Sequence, residues 1–71
     1  MNATALLRLY VDNMRRTHHC YCWAKQHALE NEPRWQSTAD WYWAMADRMK
    51  AERDDFWSTA RFIKPKRRNA A

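Results

Sequence analysis

The sequence predicts an all-α fold, an antiparallel hairpin of two long helices, and three observations carry that expectation. The 71 residues include no glycine, and tight turns between strands need φ > 0 positions that glycine normally supplies. Alanine, methionine, arginine, lysine and glutamate are abundant, and all of them favour helix. Apolar residues also recur at steps of three and four along two long stretches divided by one proline-bearing break.

The first helix is expected over about residues 3–29, with Asn2 or Thr4 as its N-cap. Its apolar stripe is Leu7, Tyr10, Met14, Tyr21, Ala24 and Ala28, with Leu6 and Thr17 inside it. Glu30 to Arg34 then breaks the period, because Pro33 disfavours helix at Glu32. A loop over about 30–37 follows, with Ser37 or Thr38 as the next N-cap. The second helix is expected over about 38–63, with the stripe Ala39, Tyr42, Met45, Ala46, Met49, Phe56, Ala60 and Ile63. Pro65 stops it and a basic tail covers 64–71. So short a loop folds the helices back on each other, setting Ala24 opposite Tyr42 or Trp43, Tyr21 opposite Ala46 and Leu7 near Ala60. Arg53 falls inside the second stripe, where it can snorkel, pair with Asp12 or Asp47 across an interface, or face a partner.

A single domain of this length rarely builds a core worth more than about 3–5 kcal/mol alone. Its apolar residues nevertheless exceed one stripe per helix. Trp23 and Phe62 fall far from their stripes, Trp41 and Trp43 flank the second stripe on opposite sides, and Trp57 lies at its edge. Clusters of large exposed apolar residues mark association surfaces, and Trp, Tyr and Arg dominate interface hot spots. The expected protein-binding residues are therefore Trp23, Trp41, Trp43 and Phe62, with Arg15, Arg16 and Arg48 as polar contacts. A homodimer forming a four-helix bundle reconciles small size with surplus apolar surface.

Charge sharpens this reading. Of 13 basic residues, Arg61, Lys64, Lys66, Arg67 and Arg68 stand in the tail, and no acid follows Asp55. The remaining eight basic residues balance the eight acidic ones, so the net charge of +5 belongs to the C-terminus. Those five are the candidate nucleic-acid contacts of an alternative reading, a small nucleic-acid-associated regulator; a subunit of a larger assembly is another alternative. No aromatic residue interleaves with Lys64 to Arg68 to stack on bases. His18 and Cys22 stand one helical turn apart, a two-ligand metal spacing. His19 and His27 point elsewhere and the second helix offers no His or Cys, so neither metal nor other cofactor is expected. Cys20 and Cys22 project about 200° apart on a helix and cannot bridge within the chain. Neither a leader segment nor a membrane span is visible, so a reduced cytoplasmic setting is the expectation. With no nucleophile–base pair beside a pocket, catalysis is not expected.

Two long helices, one Pro33 loop, surplus Trp35, Trp41, Trp43 and Trp57, and no catalytic signature give the whole chain a profile that resembles small bacteriophage-encoded inhibitor proteins. That group includes anti-CRISPR proteins and quorum-sensing anti-activators, some of them helical hairpins that dimerise. The resemblance implies a protein that occupies and blocks a surface on a host regulator or enzyme, in the cytoplasm of a bacterial host.

Overall fold

A computed structural model describes residues 2–64 of the chain. Helix α1 spans Ala3–Asn31 and helix α2 spans Gln36–Ala60, and no strand occurs among the described residues. The two helices pack against each other along their lengths. Asn2 caps α1, its Oδ1 accepting a hydrogen bond from the Ala5 amide at 2.8 Å. At the other end the Asn31 side chain donates to the His27 carbonyl at 2.7 Å, bonding back onto the preceding turn.

The turn is shorter than the sequence suggests. It occupies only 32–35, and the Glu32–Pro33 peptide bond is cis. The Trp35 amide donates to the Asn31 carbonyl at 2.8 Å, and the Trp35 carbonyl accepts from Ala39 at 2.9 Å. Trp35, not Ser37 or Thr38, therefore holds the cap position of α2, with no side-chain cap bond. Packing overrides cap preference here, because Ala39 is fully buried and α2 must already be helical when it reaches α1. The Gln36 side chain supports this first turn, its Nε2 donating to Asp40 Oδ1 at 2.8 Å. At its C-terminal end α2 stops at Ala60 and not near Ile63. Bonds from Phe62 to Thr59 and from Ile63 to Ala60 tighten the chain into a final turn with three-residue spacing.

The helices meet along two rows with alternating steps of three and four. On α1 the row is Ala3, Leu7, Tyr10, Met14, Thr17, Tyr21, Ala24 and Ala28; on α2 it is Ala39, Tyr42, Ala46, Met49, Arg53, Phe56, Ala60 and, beyond the helix, Ile63. None of these residues is exposed. A seven-residue repeat of this kind is the seam of a left-handed coiled coil. The register matches the expectation that Leu7 lies near Ala60, since both line one groove. Tyr10 meets Phe56 edge-on at 6.1 Å, one turn further in.

Only small side chains are buried in this seam. Ala24, Ala28, Ala39, Ala46 and Ala60 are at most 1% exposed, Thr17 is also buried, and no larger described side chain is fully covered. Thr17 satisfies its hydroxyl by donating to the Asn13 carbonyl at 2.8 Å. Alanine lets two helix backbones approach closely, but each methyl contributes only about 0.8 kcal/mol of burial. Replacing Ala46 with leucine forces the helices apart and should lower stability by about 1–3 kcal/mol in urea denaturation. An unchanged midpoint would show that the backbones are not in close contact there.

Candidate functional site

Alanines are the fully buried residues of the seam, and further large side chains lie along its two flanks. On one flank α1 presents Leu6, Leu9, Asn13, Arg16, Cys20, Trp23 and His27, again at steps of three and four. The adjoining flank of α2 presents Trp41, Met45, Arg48, Glu52 and Asp55, with Phe62 beyond the helix end. Contacts at both ends fix these rows to one side of the hairpin. At the turn end His27 stacks on Tyr42 with ring centres 5.2 Å apart and planes at 23°. Trp23 meets Tyr42 edge-on at 5.7 Å and lies 4.3 Å from His27. Trp41 closes the group at 5.0 Å from Tyr42, nearly perpendicular to it. At the open end Tyr10, Phe56, Glu52, Asp55 and Thr59 line a shallow groove.

Of the residues singled out in the sequence, Trp23, Trp41, Phe62, Arg16 and Arg48 share this flank. Trp23 is 45% exposed, Trp41 61% and Phe62 72%. Trp23 and Trp41 belong to one aromatic cluster, whereas Phe62 lies near the far end, roughly 30 Å away at 1.5 Å per residue. Arg61 covers part of the Phe62 ring, its guanidinium 5.2 Å from the ring centre. Trp43 and Arg15 fall on the opposite flank. Trp43 is half-buried and its indole N–H donates to Glu32 Oε1, tying α2 to the turn.

Tyr42 and His27 are the members that sequence reasoning missed. Tyr42 was assigned to the seam, and it does lie there, but its ring also joins His27 to both tryptophans. The available signal was Ala24, which leaves room on α1 beside a large ring.

Charges on this flank have no partners within the described hairpin. The ion pairs among described residues are Arg53–Asp54 at 3.1 Å and a His27–Glu30 contact at 3.7 Å, ionic only when the imidazole is protonated. The i,i+4 pairs the sequence offers, Arg48–Glu52 and Lys50–Asp54, are not formed. Asp54 is engaged by Arg53 instead, and an exposed pair gains too little to hold two long side chains still.

Arg53 resolves its place in the apolar row by crossing to α1. Its guanidinium lies 5.1 Å from the Tyr21 ring centre, and Nη1 approaches His18 Nδ1 at 2.9 Å. Arginine can only donate, so Nδ1 accepts and the imidazole proton sits on Nε2. That nitrogen stands 3.5 Å from Cys22 Sγ. His18 and Cys22 are thus together as expected, but among the described residues no third ligand joins them.

At the open end Arg61 and Lys64 are exposed beside an apolar groove of about 660 Å³ that Leu7, Val11, Trp57 and Ile63 also line. Lys66, Arg67 and Arg68 lie outside the described residues, and with them most of the candidate nucleic-acid contact. No described helix is long and apolar enough to cross a membrane. No protein-family model, curated protein or solved structure matches the chain.

The two central tryptophans should respond differently to substitution. Trp43→Phe removes the bond to Glu32 and is expected to lower stability in urea by about 1 kcal/mol. Trp41→Phe, with no such bond, should leave the midpoint nearly unchanged. Equal losses would show that the Glu32 bond does not hold the turn.

Proposed function

We propose that the chain is a protein-binding module, of the helical inhibitor kind its sequence resembles, that works by docking the Trp23–Trp41 flank on another protein. One observation carries this reading. A hairpin that fully buries nothing larger than alanine holds Trp23, Trp41, His27 and Tyr42 in one ordered, partly exposed cluster beside unpaired Arg16 and Arg48. Edge-on and stacked ring pairs contribute about 0.5–1.5 kcal/mol each beyond their buried area, so the cluster is fixed before any partner arrives. A rigid aromatic surface loses little side-chain entropy on binding, and arginine supplies directional bonds around it.

Cys22 and His18 stand 3.5 Å apart and exposed on the surface of α1, away from both grooves. The aromatic cluster, by contrast, joins four rings from the two helices on one surface.

Affinity capture with the tagged chain, before and after nuclease treatment, tests the reading. A protein retained in both conditions and weakened at least about 30-fold by Trp41→Ala is expected, equivalent to about 2 kcal/mol for a hot-spot residue. Circular dichroism should show the helices of that variant intact. Binding indifferent to both Trp23→Ala and Trp41→Ala would overturn the assignment of this flank, and binding lost to nuclease would transfer the function to nucleic acid.

A further inference from the structure

We propose that the protein occupying this flank is a second copy of the same chain, the two hairpins forming a four-helix bundle in which every helix runs antiparallel to its neighbours. The inference rests on the reading above and names the partner. In an isologous dimer one patch meets itself, so that residue i meets residue j while j meets i. A two-fold axis along the length of the hairpin lays α1 of one copy over α2 of the other at unchanged height. Residues standing level on the two helices of one hairpin therefore meet across the interface.

Those levels follow from contacts within the chain: Leu7 borders Ala60, Tyr10 meets Phe56, and Trp23 and His27 both meet Tyr42. At the open end Leu6 stands level with Phe62, so apolar surface meets apolar surface. In the middle Arg16 stands within one or two residues of Glu52, so a guanidinium meets a carboxylate twice, once on each side of the axis. Towards the turn Trp23 is level with Met45 and His27 with Trp41. Arg48 stands level with residue 19, nearest Cys20 and three residues from Arg16. No level sets like charges directly opposite one another. The same operation on the other flank brings Arg8 against Arg61 at the open end.

Two further observations agree. Arg16, Arg48, Glu52 and Asp55 form no ion pair among the described residues, which leaves their charges available across the interface. Area suffices as well. Some 23 residues of each helix at 1.5 Å per residue, with axes about 10 Å apart, present a face of roughly 35 by 20 Å. That is about 700 Å² per copy, close to the roughly 800 Å² per partner of a stable specific interface.

Sedimentation equilibrium of the full chain tests the arrangement, the expected mass being twice that of one chain. Arg16→Glu and Glu52→Arg each place like charges together at both symmetry-related positions and should each weaken the dimer at least about tenfold. The double variant R16E/E52R restores opposite charges and should recover most of the native affinity. If a single exchange unfolds the chain, the double variant still decides, since recovery of a folded dimer supports the arrangement and failure to recover overturns it. Single exchanges without effect also overturn it. A native chain monomeric at about 100 μM, a hundredfold above a micromolar dissociation constant, overturns the inference. In that case Trp41→Ala abolishing capture of a different protein keeps the broader reading, and its having no effect ends both.

Discussion

Where α1 meets α2, the buried positions are Ala24, Ala28, Ala39, Ala46, Ala60 and Thr17, and little more than methyl groups separates one helix from the other. That close approach sets where everything larger can go. The larger seam residues, such as Tyr10, Tyr21, Tyr42 and Phe56, remain half-covered at its edge, and the tryptophans lie along the flanks. The same constraint explains Arg53. Its long side chain leaves the row, stacks over Tyr21 and donates to His18, keeping its charge at the surface while its stem covers apolar area.

A seam of alanines is geometrically specific and energetically thin. Five buried methyls contribute about 4 kcal/mol at about 0.8 kcal/mol each, against the conformational entropy of ordering two long helices. The flanking rings recover some burial through contacts with one another, as Tyr42 does with Trp23, His27 and Trp41, but they stay partly wet. On the proposed arrangement stability and association are linked, because the surface that would complete the fold is the surface proposed to bind.

The hairpin was legible in the sequence because its signals are local. The three-and-four periodicity named nearly every seam residue, Asn2 announced the first cap, and Pro33 located the turn. The ends of α2 were less legible. Ser37 and Thr38 are better caps than Trp35 by side-chain chemistry, yet burial of Ala39 moved the helix start upstream. Of the candidate site, the outward position of Trp23, Trp41 and Phe62 followed from angle on the helix. Trp43 required knowing that Glu32 lies within reach of its indole, a contact eleven residues away that periodicity does not encode. The cluster itself depends on register between the helices, which places Tyr42 beside both His27 and Trp23.

Dependence of the melting temperature on protein concentration tests the link between seam and association most directly. If the alanine seam leaves the fold incomplete until the aromatic flank is covered by a second copy, mass action requires the midpoint to rise with concentration. A rise of several degrees across a hundredfold range is the expected result. A midpoint independent of concentration, in a chain that is folded and helical throughout, would show that the alanine seam suffices alone and would contradict the account.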